Sequence, residues 1–166
     1  GVYGGVKEAI LTEVDGIILA NAGVDRKNVG SGLVALPFTE LKGIAESFYR
    51  YAYERYSVKI GVIISDSMVT PLRKGTKAVA VYTYGFNPVR DYRGEPDLYG
   101  RKIRFTQQAL ADSIASAAHL VIGEGSEGVP AALVKGVKIE FIEDDTSEMA
   151  KVSRYECIYG RLYKPC

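Results

Sequence analysis

The sequence predicts an α+β domain, a mixed sheet with helices packed on it, and three observations carry that prediction. Two β-branched runs within residues 6–20 meet at Asp15-Gly16, a step that favours a tight hairpin turn. Residues 40–56 and 107–121 repeat apolar side chains at the period of a helix with one buried face. Residues 58–64 form a largely apolar, β-branched run interrupted by Lys59 and Gly61, too short for a helix and suited to a strand without a wet face.

Taken in order, the hairpin of residues 6–20 runs straight into a loop at 21–28 that holds Asn21, Gly23, Asp25 and Asn28. Glycine there permits a sharp reversal. A second loop, residues 29–37, leads to Thr39, whose hydroxyl is suited to capping the first helix. Leu41, Ile44, Ala45, Phe48 and Ala52 supply that helix with its apolar stripe. The strand at 58–64 is expected to end at Asp66, with Ser67 beside it. Residues 67–75 then form a loop bearing Arg73 and Lys74, and residues 77–84 return to the sheet.

Residues 87–102 are polar, charged and rich in turn formers, and tyrosines give this long connection anchors against disorder. Thr106 is expected to cap the second helix, whose buried stripe is Leu110, Ile114, Ala117, Ala118 and Val121. Small residues on that stripe allow close packing. Gly123, Gly125 and Gly128 end the helix around Glu124 and Glu127. Two strands, 129–134 and 137–142, are expected to turn at Lys135-Gly136, and an acidic stretch leads into a tail with Tyr155, Tyr159 and Tyr163. The organisation expected is one domain over residues 1–143 followed by a tyrosine-containing tail over 144–166.

The chain has 166 residues, of which 47% are hydrophobic, enough for one globular domain with a real core. Its 21 basic and 20 acidic residues leave a net charge of +1, so no global field recruits nucleic acid or an anionic membrane. Any anion must be held locally. No apolar run approaches the roughly 20 residues that span a bilayer, and the first residues lack the order of a signal peptide, so the expected location is cytoplasmic. The sequence enters a patterned segment almost at once, which leads us to expect a further amino-terminal portion.

Cys157 and Cys166 belong to no metal-binding spacing; two reduced thiols are expected, with a tail disulfide the geometric alternative. His119 lies in an alanine-rich helical stretch and is expected on the helix surface.

Asp25, Asn28, Asp66, Ser67 and Glu124 are hard oxygen donors placed where strands or helices end. Magnesium or manganese takes about six oxygens and commonly keeps water and phosphate among them, so two or three carboxylates suffice. The same aspartates also suit turns, accepting backbone N–H bonds, and the pattern leaves both readings open. Residues 73–77, Arg-Lys-Gly-Thr-Lys, offer a phosphate clamp or a solvated charge run. They do not have the spacing of a Walker A loop.

The ordered set of motifs resembles the coenzyme F-420 gamma-glutamyl ligases, which join L-glutamate to a deazaflavin precursor using GTP. The matching pieces are Ala20-Asn-Ala-Gly-Val-Asp25-Arg-Lys-Asn28, Ile63-Ile-Ser-Asp66-Ser67, and Asp91-Tyr-Arg-Gly-Glu-Pro-Asp97-Leu-Tyr-Gly100-Arg101. Thr106 with Ala111-Asp112, then Leu120-Val-Ile-Gly123-Glu124, Pro130 and residues 134–136 follow in the same order. The resemblance implies a gamma-glutamyl-ligase-like fold in an intertwined homodimer. It implies Asp25 and Asp66 on one divalent cation, Ser67 and Glu124 serving a second, and magnesium or manganese as the metal. It places Asn28 on the nucleotide, with Gly123, Glu124, Gly125 and Gly128 along the GTP phosphates, and assigns Arg73 and Asp97 to the catalytic set.

The implied reaction is carboxylate activation by the γ-phosphoryl group of GTP, giving an acyl phosphate that the glutamate amine attacks. No protein nucleophile is needed, in keeping with a sequence that offers no Ser-His or Cys-His arrangement. Where the family commonly reads Gly-Arg-Pro-Trp-Arg, this chain reads Val69-Thr-Pro71-Leu-Arg73, keeping the proline and the second arginine. Two other classes stand beside the ligase: a non-catalytic or divergent nucleotide- or phosphate-binding homologue acting on another substrate, and an assembly subunit docking through its tyrosine tail.

Overall fold

The computed structural model describes residues 1–7 and 9–163. Its strands and helices follow the order β1 (Val2–Val6), β2 (Ala9–Val14), β3 (Ile17–Ala20), α1 (Leu41–Tyr56), β4 (Val62–Val69), β5 (Thr76–Phe86), β6 (Val89–Asp91), β7 (Gln107–Ala109), α2 (Leu110–Ile122) and β8 (Phe141–Asp145). The α+β class holds. Where one mixed sheet was expected, the described strands form three antiparallel sheets: β1-β2-β3, β4-β5-β8 and the ribbon β6-β7.

The first hairpin turns at Asp15-Gly16, with Val14 opposite Ile17. An additional strand, β1, pairs on its outer edge. The central sheet is built on β4 and β5, whose β-branched residues suit a pleated, half-buried surface. The residues before Val62 are not strand, and β4 does not end at Asp66 but carries it in mid-strand, opposite Val79. A register shift between Ile64 and Ser65 leaves Val81 as the extra residue of a bulge, a feature that bends a strand and re-aims its side chains.

Both helices press on β5. Ala45 and Ala52 are the buried residues of α1, and Leu110, Ala111 and Ala115 those of α2, so small side chains bring the backbones close. Asp112 reaches from α2 to accept the Ala80 N–H at 2.9 Å, and Ser116 Oγ donates to the Ala78 carbonyl at 2.9 Å. These bonds satisfy strand groups beside the bulge. Neither threonine caps a helix as expected. Glu40 precedes α1 without a side-chain bond, and β7 occupies residues 107–109, so that α2 starts three residues later than predicted.

The long connection of residues 87–102 is ordered as the base and tip of the β6-β7 ribbon. Asp91 there is held down to about 2 by hydrogen bonds from the Arg93 guanidinium and backbone. The expected strands at 129–134 and 137–142 are not formed; irregular chain occupies most of that stretch, and β8 starts at Phe141 and runs across the junction expected at residue 143. Three glycines and a proline within residues 123–130, together with Gly136, deny this region regular pairing.

The tail folds back on the first sheet. Arg154 bonds Glu13 at 2.8 Å and the Tyr3 hydroxyl, and the Tyr3 and Tyr163 rings stand 5.7 Å apart. Cys157 is half-buried, while Cys166 lies outside the described residues. No helix among the described residues is long and apolar enough to cross a membrane.

Candidate functional site: a cleft of carboxylates around a lysine

Three chain segments converge on one cleft of about 410 Å³, lined among others by Asp25, Lys27, Asn28, Ser67, Glu124 and Gly125. The first is the loop after β3. Asn21, Ala22 and Gly23 take successive left-handed conformations, with φ of 52°, 54° and 76°, a run costly for non-glycine residues unless the surroundings fix it. Thr12 fixes it. Its buried hydroxyl accepts the Ala22 N–H at 2.8 Å and donates to the Leu19 carbonyl at 2.7 Å, while Asn21 Oδ1 accepts the Ile10 N–H at 2.9 Å. Asp25 is then clipped to Ala35 by two backbone bonds of 2.8 and 3.1 Å.

The second segment is β4. A Cβ added to Gly23 would lie 3.5 Å from Asp66 Oδ2, so the loop and the strand meet where the sequence placed their carboxylates. Asp25 Oδ1 accepts the N–H groups of Arg26 and Lys27, at 2.6 and 3.0 Å, and Asp66 Oδ1 accepts that of Ser67, at 2.7 Å. Accepting a neighbour's N–H is therefore a real role of both, in a turn for Asp25 and in mid-strand for Asp66. It leaves Oδ2 of each residue without a bond from these neighbours.

The third segment follows α2. Gly123, at φ 78°, ends the helix by donating to the His119 carbonyl, and a side chain there would collide with the Glu127 carboxylate. Glu124 is the centre of the cleft. Its Oε2 receives the Lys27 ammonium at 2.7 Å; its Oε1 receives the hydroxyls of Ser67 at 2.6 Å and Thr76 at 2.8 Å and lies 3.0 Å from His119 Nε2. Partial burial pushes the Glu124 carboxyl up, but the Lys27 ammonium and the two hydroxyls outweigh it and hold the group down at about 2. Lys27 is shifted up in return, first by Glu124 and further by the negative charges of Asp25 and Asp66. Asn28 ties the first segment to the third, donating Nδ2–H to the Gly125 carbonyl at 2.7 Å.

The structure thus gathers Asp25, Asn28, Asp66, Ser67, Gly123, Glu124, Gly125 and Gly128. Arg73 and Asp97 do not line this cleft. Arg73 is exposed in the turn after β4, and Asp97 is spent within its own loop, accepting from the Tyr99 and Arg101 N–H groups and from Arg101 Nε. Of the basic stretch 73–77, only Thr76 bonds Glu124.

Lys27, Thr76 and His119 escaped sequence reasoning. Lys27 was legible only as one more charge between Asp25 and Asn28. His119, expected on the surface, has a side chain only 13% exposed, because the turn at Gly123 folds Glu124 back onto it. Among the described residues, no three His, Cys, Asp or Glu side chains form a ready-made metal cage. The donor chemistry nevertheless suits a hard cation: carboxylate oxygens of Glu124 and Asp25 lie 2.7 and 3.8 Å from the Lys27 ammonium, and the negative charge of Asp66 acts on the same group.

Fold and site together define an α+β protein with a polar, net acidic cleft bordered by a glycine-rich turn. Residues 2–136 match the model of the F420-0:Gamma-glutamyl ligase family, and the chain belongs to that family. It is 43% identical over 121 residues to the coenzyme F420:L-glutamate ligase of Methanothermobacter thermautotrophicus, covering 73% of this chain and 48% of that protein. It is 38% identical over 136 residues to the protein of that name in Methanocaldococcus jannaschii, covering 81% of this chain and 54% of the relative. The Archaeoglobus fulgidus protein is 34% identical over 151 residues, 91% of this chain and 60% of the relative. The chain spans about half the length of the relatives it matches.

Proposed function

We propose that the protein containing this chain is a GTP-dependent ligase that adds L-glutamate, through a gamma-linked amide, to a carboxylate of the deazaflavin F-420 precursor. One observation carries the reading: segments 25–28, 66–67 and 123–128, far apart in the chain, close around a single cleft in a member of this ligase family. The cleft offers a phosphate chain what it needs. Lys27 supplies a mobile point charge, Asn28 an amide, and the glycine-rich turn a close approach to backbone.

Asp25, Asp66, Ser67 and Glu124 would hold magnesium or manganese, two ions in all, whose chemistry is to neutralise and orient the phosphate oxygens. The residues around the cleft bind and align. The γ-phosphoryl group passes to the acceptor carboxylate with GDP leaving; the glutamate amine then attacks the carbonyl carbon, expelling phosphate and giving up a proton. A depression of about 600 Å³ beside Asp25, lined by Asn21, Val24, Arg26 and Val34, has room for a second substrate next to the nucleotide.

Arg73 and Asp97 enter this reading as groups brought in from outside the cleft, Arg73 by its turn and Asp97 on the β6-β7 ribbon. Leu98 and Tyr99 at the ribbon tip are 101% and 83% exposed, which favours the homodimer as the working form and a partner surface as their cover. The second reading, a phosphate-binding homologue without ligase activity or with another substrate, draws on Val69, Thr70 and Leu72, which stand where the family commonly has glycine, arginine and tryptophan.

The test is direct. Protein incubated with GTP, manganese, L-glutamate and the deazaflavin precursor is expected to release GDP only when glutamate is present, with a glutamylated product seen by mass spectrometry. Nucleotide binding without product would favour the second reading, and an absence of both would overturn the proposal.

A further inference from the structure

We infer that Lys27 is the resident counter-ion of the cleft, exchanged for a divalent cation when the site loads, its ammonium then passing to the polyphosphate. The inference rests on the cation-site reading above and goes beyond it by assigning a role to a residue outside the proposed ligand set. Lys27 Nζ stands 2.7 Å from Glu124 Oε2 and 3.8 Å from Asp25 Oδ2, and Asp66 adds its charge to the same field. A single ammonium thus pairs with two carboxylates proposed as ligands of a metal, Glu124 and Asp25, and feels the charge of a third, Asp66.

A lysine and a dication cannot share such a place. Two positive centres a few ångströms apart repel, and each carboxylate oxygen that donates to the metal is lost to the ammonium. The lysine is free to leave: its side chain is 55% exposed, and its four-carbon stem lets the head swing about a fixed backbone. That backbone is fixed, because the Lys27 N–H is held by Asp25 and the neighbouring Asn28 by Gly125. The direction of the swing follows from the lining. Lys27 borders the same cleft as Gly123, Gly125 and Gly128, the turn along which phosphates would lie.

The same turn holds the opposite exchange in miniature. Glu127 folds back so that its carboxylate accepts the Gly125 N–H at 2.7 Å, an internal anion on a backbone donor facing the phosphate path. Before loading, Lys27 covers Glu124 and Glu127 covers the Gly125 N–H. Loading replaces these pairs with ligand.

Manganese binding, measured without nucleotide by calorimetry and by electron paramagnetic resonance of free ion, tests the exchange. Removing the competing charge in Lys27→Met is expected to tighten manganese binding about fivefold, the scale of one partly exposed ion pair. Lys27→Arg, which keeps the charge, is expected to leave it near wild type. At saturating manganese, Lys27→Met is expected to weaken GTP binding about tenfold, the loss of one charged phosphate contact. Manganese binding that is unchanged or weaker in Lys27→Met overturns the inference, as does GTP binding indifferent to the substitution. Asp66→Asn separates the two levels: if it binds manganese as wild type does, the cation-site reading itself falls, whereas loss of binding in Asp66→Asn with no gain in Lys27→Met defeats the exchange alone.

Discussion

At the scale of single residues, the cleft depends on side chains whose chemistry cannot be replaced by their shape. Asp66→Asn keeps volume but removes charge, and the asparagine amide can still pair locally. Metal-dependent GTP binding is expected to fall at least tenfold, with a thermal midpoint within a few degrees of wild type, as read by calorimetry and a melting curve. Thr12 is more subtle, since it touches no ligand. Its hydroxyl bridges the Ala22 N–H and the Leu19 carbonyl, so Thr12→Val leaves a buried donor unpaired and should cost about 1–3 kcal/mol in denaturant unfolding. Thr12→Ser should recover most of it. Asp25, Asp66 and Glu124 were legible in the sequence because carboxylates following apolar runs stand out, the first and last of them near glycines. Lys27, Thr76 and His119 were not, since their importance comes from what lies opposite them, a fact of the third dimension.

At the scale of elements, periodicity located the first hairpin and both helices, and the failures have physical causes. Thr106 looked like a cap, but the ribbon partner claims its carbonyl through the Tyr92 N–H at 3.1 Å, and residues 107–109 pair instead of coiling. The strand at β4 was expected to stop at Asp66 because aspartate disfavours strand; the bulge and the Asp112 bond let the ladder continue. Close packing between elements gives a sharp expectation at Gly61. A Cβ there would fall 2.5 Å from the buried Phe86 ring, so Gly61→Ala should destabilise by about 1–3 kcal/mol in urea unfolding. At the end of β8, burial pushes the Asp145 carboxyl up, but the Ser147 hydroxyl and N–H more than compensate and lower it. Its folded value lies below the unfolded one, so its contribution is complete above the ordinary aspartate range and is lost as pH falls through the depressed value. Asp145→Asn should flatten that acid limb of a stability-against-pH profile.

At the scale of the whole molecule, the tail and the first sheet act together. Arg154 joins Glu13 and Tyr3 to the residues beyond β8, and that sheet delivers the loop carrying Asp25, Lys27 and Asn28. Arg154→Ala should speed amide exchange in β1 and β2, seen by mass spectrometry, while exchange in β5 stays slow. None of this was legible beforehand, because the tyrosines of the tail carry no periodicity and the tail's partners lie far off in the chain, 141 residues between Arg154 and Glu13. The bond between Asp112 and Ala80 has a wider reach than its length suggests. It keys α2, which ends just before Glu124, to the strand flanking Asp66, so backbone sets the gauge between those two walls while the lysine-bearing lip accommodates an occupant's radius through a flexible side chain.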